Sequence, residues 1–285
     1  MEYQQARYNF FKWRYESNFA YKLALAFIFA SLTGLGAQLR IYLPFTPVPI
    51  TAQVFFVLLS GVVLGKRCGG ASQLIYVVLG GAGLPWFAGM NSGWAYLTGV
   101  TGGYIIGFIV AATIIGWFVD NFVRARNFTF QLSLMFFGVA IIYALGALQF
   151  YLVLATAPAL QAKLLAKAGF AALGFKEVVA MAVLPFIPGD ILKAFAAVGV
   201  ATVLLPKEAY NGEVDFNNPV KARLVNTAGV AVSGVLTAFF VLLFWLKLLS
   251  LGEVSFAVLF KQSVWYSSSA LLSCLLLLHF TKKLF

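Results

Sequence analysis

Charge is scarce in this chain. Nine acidic and 20 basic residues make up 10% of its 285 positions, against roughly 25% in a soluble domain. A water-facing globule cannot cover its surface with so few charges. Histidine occurs once, at His279, and cysteine twice, at Cys68 and Cys274. That excludes a metal cluster and a disulfide framework. Cys68 lies in a basic turn and is expected as a free thiol. Nucleotide motifs are missing too. No G-x-x-x-x-G-K-[ST] is present, and the stretch Gly61-Val-Val-Leu-Gly65-Lys66-Arg67 is one residue short and lacks the hydroxyl. There is no strand–G-x-G-x-x-G–helix unit and no H-E-x-x-H. Any ATP drive must therefore come from a partner, and no cofactor or metal is expected.

Apolar residues fill the chain instead, at 62% of positions with a mean hydropathy of +0.91. Lipid is the expected solvent, and the fold class an all-α integral membrane protein. Residues 1–20 are polar, aromatic and basic, with no small-residue cleavage site after them. They read as a retained cytoplasmic segment, not a signal peptide. Apolar runs predict spans at 21–39, 51–65, 71–84, 102–123, 128–156 and 178–205. A polar stretch, 206–222, reads as a cytoplasmic loop before two additional transmembrane helices in 223–285, at 223–246 and 256–280. Three prolines, Pro44, Pro47 and Pro49, forbid regular helix after the first span. The net charge of +11 sits in short clusters between apolar runs, a topology signal and not a nucleic-acid surface. With eight spans and the N-terminus inside, 13 basic residues fall inside and six outside. Both termini are therefore expected in the cytoplasm of a multi-pass cell-membrane protein.

Within the apolar runs, ionisable residues are the sharpest signal. Leu184-Pro-Phe-Ile-Pro-Gly-Asp-Ile-Leu-Lys193 places Asp190 and Lys193 three apart, on one helix face. Each charge costs at least ~2.5–3.5 kcal/mol in a bilayer, so it faces a cavity or a partner. Pro185, Pro188 and Gly189 can break the helix and free backbone groups, which favours a cavity. A self-satisfied ion pair that holds the bundle together is the alternative. Gln53, Asn91 and Tyr104 lie near the same level as Thr51, Ser92 and Gln149. Each alone also fits a helix–helix contact. Trp86 and Phe87, with Trp94 and Tyr96, form either an interfacial belt or a lid over a pocket. A mostly apolar pocket with a few fixed polar groups suits a small amphipathic molecule. An intramembrane enzyme would need a second acid or nucleophile, and the spans offer only Asp120 at an end, so no catalytic residue is assigned. Gly99, Gly103 and Gly107 give one flat helix face; Ala26 and Ala30 form a small-x-x-x-small pair. Both patterns suit packing within the bundle, and the second also suits a partner.

Four strings carry a family resemblance: Leu43-Pro-Phe-Thr-Pro-Val-Pro-Ile-Thr-Ala-Gln53, Gly83-Leu-Pro-Trp-Phe-Ala-Gly89, Thr101-Gly-Gly-Tyr104 and the Leu184–Lys193 string. In this order they resemble the BioY biotin-uptake family over about residues 22–205. The resemblance implies a six-helix S-component-like bundle at 21–205 that binds biotin from outside. It implies coupling to the T component and two ABC-type ATPases of an energy-coupling factor (ECF) transporter, with Ala26 and Ala30 docking on the T component. The implied biotin site comprises Asp190, Lys193, Asn91, Tyr104, Trp86, Phe87 and Gln53. Asp190 can accept from the ureido N–H groups, Asn91 can serve the ureido group, and Lys193 can meet the carboxylate or orient Asp190. Trp86, Phe87 and Tyr104 can cover the apolar ring. Val100 stands where the family often has proline, and the two added helices lie outside the usual fold. A self-sufficient permease, as a homo-oligomer if solitary, is the alternative to ATPase coupling.

Overall fold

A computed structural model describes residues 2–206. The loop beyond Pro206, the two helices expected within 223–285, Cys274 and His279 lie outside the described residues. The helices are α1 (Glu2–Glu16), α2 (Phe19–Gln38), α3 (Gln53–Gly81), α4 (Trp94–Leu97), α5 (Gly102–Asn121), α6 (Phe128–Thr156), α7 (Pro158–Ala168), α8 (Phe175–Ala182) and α9 (Ile187–Leu204), with a 3-10 turn at Val123–Arg126. Five of them, α2, α3, α5, α6 and α9, are long and apolar enough to cross a membrane.

α3 is folded back on itself. Gly65 adopts φ 78°, ψ −176°, a backbone conformation open to glycine and costly for other residues. The arms 53–64 and 66–81 then run side by side. Gln53 Nε2 donates to the Tyr76 hydroxyl at 2.8 Å, and Gln73 Nε2 to Ser60 Oγ at 3.0 Å. In a straight helix residues 53 and 76 would stand about 35 Å apart. The two arms are the predicted spans 51–65 and 71–84. Lys66, Arg67 and Cys68 do not form the expected basic turn, because the helix restarts immediately after Gly65.

Other boundaries differ from the hydropathy reading. The run 178–205 is not one helix. α8 ends at Ala182, a turn containing Pro185 follows, and α9 begins at Ile187 with a proline in its first turn, where its missing N–H is not needed. The proline-rich stretch is bracketed by a two-stranded ribbon, β1 (Arg40–Ile41) against β2 (Ile50–Thr51), with Arg40 opposite Thr51. Between α6 and α8 lies the unpredicted α7, opened by Pro158 and closed by Gly169 in the left-handed region. The N-terminal segment, read as a retained cytoplasmic segment, contains the helix α1. It crosses the ends of its neighbours. Arg7 donates to the Thr202 carbonyl at 2.9 Å and to that of Leu205, and Tyr3 to that of Val203, satisfying carbonyls left open at the α9 terminus. Arg14, one of the 13 basic residues assigned to the inside, is buried and pairs with Asp120 at 2.6 Å.

Small residues bring the helices close. Gly103 and Gly107 face α6, where a Cβ on Gly107 would lie 2.9 Å from the Ile142 Cα. Gly99 precedes α5, and a Cβ there would meet only the Tyr96 and Ala95 carbonyls. On α2 the buried stripe is Ala26, Ala30, Thr33, Gly34 and Ala37, spaced as one helix face. Ala26 is 2% exposed and Ala30 fully buried, so both side chains are packed inside the fold. Ala30→Trp should therefore act through overpacking. We expect it to cost about 1–3 kcal/mol, read as a lower melting midpoint in detergent before any partner is added.

Candidate functional site

The break between α8 and α9 places a carboxylate inside the bundle. Asp190 sits in the first turn of α9, where the helix dipole favours an anion. Its amide donates to the Phe186 carbonyl at 2.9 Å, and the residue is 3% exposed. Lys193, one turn on, donates to Oδ1 at 2.6 Å. Tyr143, reaching in from α6, donates to Oδ2 at 2.6 Å. The charge is thus neutralised and hydrogen-bonded on both oxygens, which a buried carboxylate requires.

This cluster floors a cavity of about 60 Å³ at one end of the bundle. Its polar wall includes Thr51 and Gln53 at the head of α3 and Thr101 before α5. The apolar wall includes Val54, Ile105, Phe108, Ile142 and Phe186. Tyr104 adds its ring, while its hydroxyl donates across to the Ala182 carbonyl at 2.5 Å and fixes α5 to the end of α8. Tyr96 on α4 closes another side, and burial pushes its phenol above the ordinary tyrosine value, so it stays neutral. Gln149 holds that segment by donating to the Leu97 and Gly99 carbonyls, both at 2.7 Å.

Of the residues predicted for the site, Asp190, Lys193, Tyr104 and Gln53 line the cavity. Trp86, Phe87 and Asn91 stand behind it. Trp86 is wedged against Gly34 and Gly80, and its indole N–H donates to the Tyr76 carbonyl at 2.9 Å. Phe87 is fully buried and stacks on the cavity-side Tyr96, with ring centroids 5.2 Å apart. Asn91 donates to the carbonyl of Ala88, itself a wall residue, at 2.7 Å. These three residues therefore hold the loop that carries the wall. The cavity also takes in Tyr143, Tyr96 and Phe186, which the implied biotin site does not include. Tyr96 was visible as part of the aromatic group, whereas Tyr143 carries no local mark.

Helices fit to cross a bilayer, gathered round a polar-floored cavity, define a multi-pass membrane protein built to hold a small solute. The chain belongs to the BioY family, whose profile matches residues 8–209. It is 46% identical over 161 residues to the probable biotin transporter BioY of Methanothermobacter thermautotrophicus, covering 55% of this chain and 94% of that one. It is 45% identical over 132 residues to the biotin transporter BioY of Thermotoga maritima, covering 46% and 75%. Among solved structures it resembles the S-component for biotin from an ECF-type ABC transporter, with a TM-score of 0.54 and 25% identity over 65% of this chain and 90% of that one.

Proposed function

We propose that the protein takes up biotin as the membrane-embedded binding subunit of an ECF-type transporter; it is a transport component and not an enzyme. The observation that carries this reading is the Asp190 cluster. An ionised carboxylate has about four lone-pair sites. Lys193 and Tyr143 occupy two of them. Two remain for the pair of N–H groups on a ureido ring, while the apolar wall receives the sulfur ring. Lys193, held by Asp190, orients the carboxylate. Gln53 and Tyr104 shape the remaining wall, and Trp86, Phe87 and Asn91 act by fixing the loop.

At about 60 Å³ the cavity is smaller than the roughly 300–1,000 Å³ of a typical ligand pocket, so the loop 86–101 and the ribbon must part to admit biotin. Six crossings are proposed within 21–205: α2, the two arms of α3, α5, α6, and α8 with α9. Arg7, Arg14, Lys66, Arg67, Arg124 and Arg126 all gather at the end covered by α1. By the positive-inside rule that end is cytoplasmic, together with both termini, and the cavity opens outward. A T component and two ATPases complete the transporter. α2 keeps the smallest buried share of the five long helices, and its outward residues, including Ala24, Phe27 and Ile28, offer that T component a face in place of lipid.

Two measurements test the proposal. The purified protein should bind biotin one to one. Biotin uptake into cells lacking their own transporter should rise when the T component and ATPases are co-expressed, and fall to background when the ATPases are inactivated. Uptake by this chain alone, indifferent to the ATPases, would favour the self-sufficient permease. Absence of biotin binding would end the proposal.

A further inference from the structure

At the mouth of the cavity a cation stands beside the wall without an acid. Arg40 pairs across the ribbon with Thr51, a wall residue. Its Nη1 donates to Gln38 Oε1 at 3.0 Å. Gln38 in turn accepts from the Met90 amide and donates to the Trp86 and Phe87 carbonyls, so Arg40 is tied to the loop as well. Gly89, next to the wall residue Ala88, marks where polar groups converge. A Cβ there would lie 3.0 Å from Asn91 Nδ2, 3.2 Å from the Tyr42 hydroxyl and 3.9 Å from Arg40 Cζ. Arg40 and Tyr42 are exposed. Among the described residues no carboxylate forms a salt bridge with Arg40.

Charge balance then points to a ligand. On the floor Lys193 and Asp190 cancel one another, so a singly charged anion finds no net counter-charge there. Biotin carries its carboxylate at the far end of a flexible chain from the ureido ring. With the ring on the floor, the chain leads back toward the mouth. We propose that Arg40, with the Tyr42 hydroxyl beside it, forms a second polar subsite that receives the ligand's carboxylate. The inference rests on the biotin reading above. A guanidinium fork matches a carboxylate in geometry and keeps its charge at any working pH. Because Arg40 is a rim residue in contact with water, the contribution is modest and falls with salt.

The test compares biotin with biotinamide, its neutral amide, in detergent-purified full-length protein. The wild type should prefer biotin at low ionic strength and lose much of that preference at high salt. Arg40→Gln should weaken biotin about three- to fivefold at low salt, leave biotinamide within about twofold and abolish the preference, with Arg40→Lys in between. Equal losses for both ligands would make Arg40 a support of the loop and overturn the proposal. Unchanged biotin affinity would also overturn it, leaving Arg40 as an interfacial anchor to lipid phosphates. If the wild type binds neither ligand, the biotin reading itself fails.

Discussion

Replacing Asp190 by asparagine is expected to weaken biotin binding by about tenfold or more in a protein that still inserts and folds. Loss of a charged acceptor in a desolvated site costs on the order of 1.5–3 kcal/mol. The side chain keeps its shape, so the wall around Phe186 and Ile142 is undisturbed. Two things change. The two acceptor oxygens become one acceptor and one donor, and that donor faces Tyr143 or the ligand. Lys193, with a side chain 17% exposed, also loses its counter-charge. Tyr143→Phe makes an informative companion. It leaves the charge and frees one oxygen, so the loss should be smaller, about three- to tenfold. Titration of both variants with biotin, alongside a melting curve for each, separates affinity from folding. Wild-type affinity in a well-folded Asp190→Asn protein would remove Asp190 from the site and with it the observation on which the biotin mechanism stands.

The contrast between Asp190 and Tyr143 shows what a sequence of this kind can reveal. A carboxylate and an ammonium in an apolar run are conspicuous because the bilayer makes them costly. The prolines before them announced the break that the α8–α9 turn realises. Tyr143 carries no such mark. A tyrosine inside α6 is unremarkable in composition, and its partner lies 47 residues away on another helix. Trp86 and Phe87 were legible as belonging to the site region, but their depth was not. Hydropathy cannot tell a ring over a ligand from a ring beneath the loop that holds it. The Gly65 reversal was legible only as a boundary. A glycine beside two basic residues says that a span ends, while the immediate return of the second arm depends on what caps the bend. α1 was the least legible element. Its aromatic and basic composition lacks a helical apolar stripe, and its order comes from contacts with distant chain segments.

Those contacts carry the second large prediction. Asp120→Ala should destabilise the protein by about 3 kcal/mol, because removing one member of a buried ion pair strands the other. Arg14 and Asp120 are 5% and 9% exposed at the side chain, and they meet at 2.6 Å. Arg14 Nη1 also donates to the Val63 carbonyl at 3.0 Å, just before the bend in α3. Asp120 Oδ2 accepts the Lys66 amide at 2.9 Å, just after it. One carboxylate at the end of α5 thus caps the restart of the second arm and anchors α1. Its loss orphans a guanidinium and a backbone N–H together. For a chain of this size the cost corresponds to a melting midpoint lower by roughly 6–12 °C. Arg14→Leu added to Asp120→Ala should recover part of the loss, since the stranded charge goes with it. Biotin affinity measured well below the midpoint should hold near the wild-type value. Tyr104 and Asp120 stand at opposite ends of α5, about 24 Å apart along the helix. A full-length Asp120→Ala protein that melts with the wild type would show that the pair does not hold the bend. One that melts normally but binds biotin weakly would show that the far end of the bundle sets the shape of the cavity.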